Sequence, residues 1–221
     1  MTVFTIIGAG PGLGAAAARR FAREGFSVAL VSRSPGKLDA LRDELAALGV
    51  QARSYAADVQ DRDALGAALR SAAADLGPIE VLQYSPVPRP QFLRPVLDTG
   101  VDDLAAATEF SILGPVTAVQ TVLPGMRELG RGTVLFVNGS SAATPNGNVA
   151  GTSVAFAGES AYARMLHEAV APSNVHVGQL IIPGAIGGGD PLYAPEALAE
   201  RLWAIHSRRG AFRTTVGTDE D

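Results

Sequence analysis

The chain has 221 residues, 47% hydrophobic and 18% charged, a balance that predicts one domain with a substantial core. A formal net charge of −4 and a pI near 5.4 argue against a nucleic-acid or anionic-membrane surface, because those partners favour clustered Lys and Arg. The absence of cysteine excludes disulfides and thiolate chemistry, and with only 3 histidines we predict no metal site.

The ends of the sequence carry no targeting pattern that we can identify. The first apolar strand starts almost at Met1, and later apolar runs are too short to cross a bilayer, so we expect a cytoplasmic protein with no membrane partner. A single domain is predicted over residues 1–217, and residues 218–221 are predicted to form a solvated acidic tail.

Short β-branched runs alternate with longer stretches of helical spacing along the chain. This order is typical of an α/β fold, here a Rossmann-type doubly wound parallel sheet with three layers, α/β/α. In chain order, strands are predicted at 3–7, 27–31, 51–55, 79–83, 133–137, 175–182 and 212–216, and helices at 12–24, 35–48, 61–76, 101–129, 152–171 and 195–209.

The first predicted turn is rich in glycine and joins the strand at 3–7 to the helix at 12–24. Gly8, Gly10, Gly12 and Gly14 would let backbone N–H groups approach a pyrophosphate at the positive end of that helix. A tight turn without a ligand is the alternative, but a simple turn does not need four glycines.

Three later segments interrupt the alternation. Residues 84–95 contain four prolines and predict a surface loop rather than a linker between domains. The helical stretch at 101–129 is predicted to bend near Gly114-Pro115, since proline removes a helix hydrogen bond. The glycine-rich loop at 183–191 is either a mobile lid or a plain connection.

The residues after the second strand bear on the choice of nucleotide. An acidic side chain there would bond a ribose 2′-hydroxyl and repel a 2′-phosphate, whereas this chain has Ser32, Arg33 and Ser34. The guanidinium and two hydroxyls favour NADP(H) over NAD(H). A solvated surface arginine is the alternative interpretation of Arg33.

Taken together, these motifs resemble the short-chain dehydrogenase/reductase family along nearly the whole chain. Gly8, Gly12 and Gly14 match its glycine motif, Asp58-Val59 its adenine-binding pair, and Pro183-Gly184 its turn after the sixth strand. The resemblance implies a homodimer or homotetramer. It also implies nucleotide contacts from Gly8, Gly10, Gly12, Leu13, Gly14, Ser32, Arg33, Ser34, Asp58, Val59, Pro183 and Gly184.

The same family pattern fails at the catalytic group. Members carry a Ser after the fifth strand, a Tyr on the next helix and a Lys one turn later, and Ser141 resembles the Ser. Counting forward by the family spacing puts the Tyr position at Val154 and the Lys position at Gly158, and neither exchanges a proton. No Tyr-x-x-x-Lys sequence occurs anywhere in the chain.

Other family signatures are replaced as well. Tyr84-Ser85-Pro86-Val87 stands where Asn-Asn-Ala-Gly is usual, and Ser111 and Gly188 stand for a helical Asn and a loop Thr. Tyr84 ends a strand, where ligands of doubly wound sheets collect, so Tyr84 and Ser141 are the predicted catalytic residues, with water as a third proton carrier. Tyr193 is a further candidate, and packing is the alternative role of each tyrosine.

Three functions follow as hypotheses. The first is a divergent oxidoreductase that binds NADP(H), with weak or non-standard catalysis on an unknown small carbonyl or alcohol. The second is a catalytically inactive NADP(H)-binding module that senses redox state or regulates a partner. The third is a different reaction on the same scaffold, because a fold does not fix its chemistry.

Overall fold

The computed structural model describes residues 2–218, and its strands form one parallel sheet. The strands are β1 (Val3–Ile7), β2 (Ser27–Ser32), β3 (Ala52–Ala56), β4 (Ile79–Tyr84), β5 (Gly132–Gly139), β6 (Val175–Ile182) and β7 (Arg213–Thr215). Their order across the sheet is β3-β2-β1-β4-β5-β6-β7. The chain changes direction between β1 and β4, and such a switch point opens a crevice at the carboxyl ends of the strands.

Helices cover both faces of this sheet. They are α1 (Leu13–Ala22), α2 (Asp39–Ala47), α3 (Arg62–Leu76), α4 (Val101–Thr108), α5 (Gly114–Glu128), α6 (Ala150–Val170) and α7 (Pro195–Arg208). One apolar core joins α1, α2 and α7 to the sheet, and a second joins α3, α5 and α6 to the opposite face. The predicted Rossmann-type fold with three layers is therefore confirmed.

The long predicted helix at 101–129 consists of three pieces. A π-helical turn, Glu109–Leu113, separates α4 from α5 and ends directly before Gly114-Pro115, where the sequence predicted a bend. Pro115 has no N–H to donate to the preceding turn, so the regular hydrogen-bond ladder cannot pass through this point unchanged.

The proline-rich segment lies on the start of α6 as a covering loop. The Val96 N–H donates to the Gly147 carbonyl at 2.8 Å, and the Ala150 N–H donates to the Arg94 carbonyl at 2.9 Å. These bonds fix the segment against the rest of the domain, which fits the predicted surface loop better than a linker.

Element boundaries agree with the sequence predictions to within two residues, except that α2 begins at Asp39 rather than at 35. β5 continues through Asn138 and Gly139, because both pair with β6, and α6 begins at Ala150 rather than at 152. The side chain of Asp61 caps α3, since its carboxylate accepts the Ala64 N–H at 3.0 Å. Within residues 2–218, no helix combines the length and apolar character that a membrane crossing requires. Residues 219–221 of the predicted tail lie outside the described part of the chain.

Candidate nucleotide and active site

The glycine turn after β1 packs tightly against the loop that follows β4. Gly8 has φ +87°, and a Cβ atom on it would lie 2.4 Å from the Pro86 Cα. Only glycine fits such a position, because a side chain would meet both an unfavourable backbone conformation and the neighbouring main chain. Gly8 is thus required by the close approach of two loops at the carboxyl edge of the sheet.

The end of this turn leaves the start of α1 open. Gly12 caps the helix without a side-chain hydrogen bond, and the first turn of α1 contains no acidic residue. A Cβ atom on Gly10 or Gly12 would meet no atom within 4 Å, so both residues border open space. An uncapped helix N-terminus beside open space fits an anionic group such as a pyrophosphate.

Two adjoining cavities flank the glycine turn and share Gly8, Gly10, Pro86 and Val87. The larger has a volume of about 530 Å³, extends toward β5 and α6, and includes Leu13, Pro183 and Gly184 in its lining. The smaller has a volume of about 180 Å³ and extends toward β2 and β3, where Val59 lines it. Together they form one elongated cleft along the carboxyl ends of the strands.

The smaller cavity brings together the residues predicted to choose the nucleotide. Ser32 and Arg33 line it, and the exposed Arg33 forms no hydrogen bond or ion pair with any other residue between 2 and 218. The Ser32 hydroxyl instead accepts the Ser34 N–H at 3.2 Å, which shapes the turn after β2. The guanidinium of Arg33 is consequently free to meet a ligand.

Asp58, the predicted adenine contact, is engaged with the proline-rich loop. Its carboxylate pairs with Arg89 at 2.7 Å and accepts the Gln60 N–H at 3.1 Å. Neither Asp58 nor Arg89 is among the residues that line the smaller cavity. The pair ties the loop after β3 to the loop after β4 beside the cleft.

The serines after β5 lie in the larger cavity. Ser140 and Ser141 both line it, and neither hydroxyl forms a hydrogen bond with another described residue. Asn138, which lies on β5 two residues before Ser140, also borders this cavity, and its side chain is hydrogen-bonded to buried Glu159 and Gln179. Two free hydroxyls are therefore available to a ligand oxygen.

The positions counted for the catalytic Tyr and Lys do not face the cleft. Val154 is 55% exposed, and a Cβ atom on Gly158 would lie 2.5 Å from the Cδ1 of Ile112. The two α6 residues that line the larger cavity one turn apart are Thr152 and Phe156. Neither counted position therefore borders the larger cavity, because the face of α6 that does so is fixed by its packing on the sheet and not by distance from Ser141.

Neither of these two pairs of α6 positions carries the family's Tyr and Lys. Thr152 and Phe156 cannot replace Tyr and Lys, and the Thr152 hydroxyl donates to the Val149 carbonyl at 3.1 Å. The chain contains a single lysine, Lys37, which lies in the turn before α2. A lysine therefore cannot occupy the family position in any alignment.

Tyr84 is not a cleft residue, so its prediction as a catalytic group is wrong. Its side chain is 2% exposed, and its hydroxyl donates to the Phe110 carbonyl in the π-helical turn. Burial, with the carboxylates of Glu159 and Asp58, raises the pKa of Tyr84 well above its usual value. Residue 84 points into the core because side chains alternate along β4, and Leu82 on the same face is buried too.

Tyr193, the other candidate of this kind, contacts the loop after β6. A Cβ atom on Gly184 would lie 2.2 Å from the Cε2 of Tyr193, so the ring covers the Gly184 backbone. Tyr193 packs at the edge of the core that contains α7, and it does not line the larger cavity. Its role is to support the wall of the cleft.

A buried polar network lies directly behind the cleft, and no motif in the sequence predicts it. The Asn138 amide donates to the Glu159 carboxylate at 3.0 Å and accepts from the Gln179 amide at 2.8 Å. Ser160 and Arg213 extend the network, each donating to the Gln179 amide oxygen, at 3.0 and 2.9 Å. The network links β5, β6 and β7 to α6.

Glu159 is the acidic residue of this network, and its side chain is almost completely buried. It is 1% exposed, and its Oε1 has no hydrogen-bond partner among the described residues. Burial raises the pKa of Glu159 from 4.5 to about 8, against the opposing effect of the Asn138 hydrogen bond. The carboxyl group is therefore largely protonated at neutral pH.

Comparison with known proteins identifies the family and agrees with the fold. A family model described as short chain dehydrogenase matches residues 2–189. The chain belongs to the short chain dehydrogenase family. The family comprises oxidoreductases that bind nicotinamide dinucleotides, so the resemblance in the sequence is confirmed.

Individual members of the short chain dehydrogenase family match over most of this chain. A short chain dehydrogenase from Pseudocercospora fijiensis is 29% identical over 187 residues, 82% of this chain and 58% of that protein. A solved short-chain dehydrogenase from Rhodopseudomonas palustris has a TM-score of 0.86 and 25% identity, covering 98% of each chain. A metagenomic short-chain oxidoreductase in complex with NADP has a TM-score of 0.84 and 22% identity, covering 97% of this chain and 96% of that one.

Proposed function

We propose that this protein binds NADP(H) in the cleft and is an oxidoreductase for a small carbonyl or alcohol, using a proton step without the family's Tyr and Lys. The observation that carries the proposal is the uncapped N-terminus of α1, which opens into the same cleft as the unpaired guanidinium of Arg33. The first fits a pyrophosphate and the second a 2′-phosphate.

Arg33 supports NADP(H) over NAD(H). A guanidinium binds phosphate through two parallel N–H donors, and no carboxylate of the described residues competes for this one. Ser32, in the same cavity, adds a hydroxyl. A related solved structure was obtained in complex with NADP, which is in keeping with this choice.

The larger cavity supports a reaction with limited acid catalysis. A bound nicotinamide would supply or accept the hydride at the substrate carbon. Ser140 and Ser141 would hold the substrate oxygen through their free hydroxyls, and water would exchange the proton. General acid catalysis contributes about 10²–10⁴-fold, so we expect turnover to be slower than in members with Tyr and Lys by a factor of that order.

A catalytically inactive NADP(H)-binding module is the second candidate. The observation that favours it is the pair facing the cleft, Thr152 and Phe156, since neither contributes a proton or a ribose contact of the kind lysine makes. NADPH oxidation across a panel of small aldehydes and ketones separates the candidates. Substrate-dependent oxidation supports the oxidoreductase, and binding without turnover supports the module.

The Arg33→Asp variant is expected to lower NADPH affinity by about 100-fold, because it removes a phosphate contact and adds a repelling charge. NADH affinity should stay the same or rise, because the new carboxylate can bond the ribose 2′-hydroxyl. Isothermal titration with each nucleotide measures both. The matched control is Arg23→Asp, which makes the same change of charge at an exposed residue directly after α1. This variant should leave both affinities unaltered. Unchanged NADPH binding by Arg33→Asp would refute the proposed role of this residue.

The double substitution Thr152→Tyr and Phe156→Lys is expected to raise NADPH-dependent carbonyl reduction by about 10²-fold or more, since both new side chains would enter the larger cavity. Steady-state NADPH oxidation measures the gain. The matched control, Val154→Tyr with Gly158→Lys, should bring no gain and should lower stability through the contact with Ile112. Activation by the control pair alone would contradict the position of the cleft face on α6.

Self-association as a homodimer or homotetramer stays a prediction from the family resemblance, and a cytoplasmic location stays a prediction from the sequence. Val154 and Met165 on the outer face of α6 are exposed and apolar, which supports a helix-mediated contact between copies.

A further inference from the structure

The larger cavity collects apolar side chains from three separate segments. Val87 and Leu93 come from the proline-rich loop. Val149 directly precedes α6, and Phe156 lies in the second turn of that helix. Ile186 comes from the loop after β6. Leu93 is 47% exposed, so the apolar surface is presented to the cavity rather than consumed by the core. An apolar ligand that covers these exposed side chains removes apolar surface from water, which lowers the free energy of the complex.

This apolar wall is held in place by the fold. Phe156 packs on Ala142 and Ile181 beneath the cavity. A Cβ atom on Gly151 would lie 2.8 Å from the Phe92 Cα, so α6 and the proline-rich loop meet backbone to backbone beside Leu93. The wall is preformed, which reduces the entropy lost when a ligand binds.

No charged side chain is found among the described residues that line the larger cavity. Its polar side chains are hydroxyls and amides, at Ser85, Asn138, Ser140, Ser141, Asn146 and Thr152. Two nearby arginines in the proline-rich loop are turned to other partners, Arg89 to Asp58 at 2.7 Å and Arg94 to Asp103 at 3.4 Å. Once a nucleotide occupies the N-terminus of α1, a carboxylate or phosphate on the substrate would therefore lose its hydration without gaining a counter-charge.

We propose that this cavity selects neutral, largely apolar carbonyl compounds or their alcohols over anionic ones, and that Leu93 and Phe156 set this selectivity. The inference rests on the proposed function for the nucleotide, and it adds the substrate class. Aromatic aldehydes are a suitable probe class, because the Phe156 ring and the Leu93 side chain offer flat and flexible apolar contacts on two sides.

The test is an NMR titration of the full chain with 4-isopropylbenzaldehyde and with 4-carboxybenzaldehyde, in the presence and absence of saturating NADP. We expect the neutral aldehyde to bind at least about tenfold more tightly. Equal or tighter binding of the carboxylate, or binding of neither aldehyde under either condition, would overturn the inference. Failure of NADP to bind would refute the proposed function separately. The titration of the neutral aldehyde without nucleotide would still test the substrate class, whereas the carboxylate is compared only with NADP bound, because the open N-terminus of α1 borders the same cavity.

The variant Leu93→Arg should reduce the preference for the neutral aldehyde to within about threefold, because it places a cation at the cavity rim. Leu97→Arg is the matched control, since Leu97 is 95% exposed, follows in the same loop and does not line the cavity. Thermal unfolding confirms that both variants fold. A folded Leu93→Arg protein with the original preference would contradict the assignment of Leu93.

Discussion

Replacing Glu159 with glutamine is expected to remove most of the stability loss that this protein undergoes between about pH 4.5 and 8. The carboxyl group has a pKa near 4.5 in the unfolded chain and about 8 in the fold, because burial disfavours its charged form. The folded state therefore holds a proton that the unfolded state releases, and stability falls as pH rises through this window. Glutamine keeps an acceptor for the Asn138 amide and has no proton to lose.

The expected gain for Glu159→Gln is on the order of 3–5 kcal/mol at pH 8 and above, with little gain at pH 4.5. Urea unfolding of both proteins at a series of pH values measures it. The comparison must use the difference between the proteins, because burial lowers the pKa of His176 to about 4, an effect that raises stability with pH up to about 6.5 in both. Glu168→Gln, an exposed change on the same helix, should alter stability by less than about 0.5 kcal/mol. Parallel pH profiles for Glu159→Gln and the unmodified protein would contradict the buried, protonated carboxyl.

We expect the Gly8→Ala substitution to lower the free energy of unfolding by about 2–4 kcal/mol and to weaken NADPH binding by a similar free energy. The added methyl group would meet the Pro86 backbone at 2.4 Å and would hold alanine at φ +87°. Relief requires the glycine turn to move away from the loop after β4, which opens the cleft. Thermal unfolding and nucleotide titration measure the two losses.

Gly10→Ala is the matched control for stability. Gly10 has no positive φ, and an added Cβ would meet nothing within 4 Å, so we expect stability to change by less than about 1 kcal/mol. If Gly8→Ala unfolded at the same temperature as Gly10→Ala, the close approach of the two loops would not be the reason for glycine at position 8.

The parallel sheet could be predicted because each of its strands is a short apolar run bounded by turn residues. Val3–Ile7 and Val175–Ile182 were predicted with their observed bounds for this reason. The end of β5 could not be placed in the same way, since Asn138 and Gly139 are poor strand formers and join the sheet only through pairing with Ile181 and Ile182. Pairing of this kind depends on residues 43 positions away in both cases.

The site was less predictable than the fold, for two physical reasons. Helix rotation decides whether Val154 or Thr152 faces the cleft, and that rotation is set by packing across the whole of α6. The burial of Tyr84 could have been predicted from the alternation of side chains along β4, because Leu82 lies two residues earlier on the same face and is a core residue. The contacts of Glu159 could not have been predicted in this way, because they join residues of different elements. Glu159 lies on α6, its carboxylate contacts Asn138 on β5, and the network extends to Arg213 on β7.

We propose that this protein retains the nucleotide half of the family's site, while the family's proton-transfer pair is replaced. Calorimetric titration of the unmodified protein with NADPH and with NADH tests the retained half most directly. We expect saturable 1:1 binding of NADPH that is at least about tenfold tighter than binding of NADH. Binding of neither nucleotide would contradict the retained nucleotide site, and equal or tighter binding of NADH would contradict its preference for NADP(H).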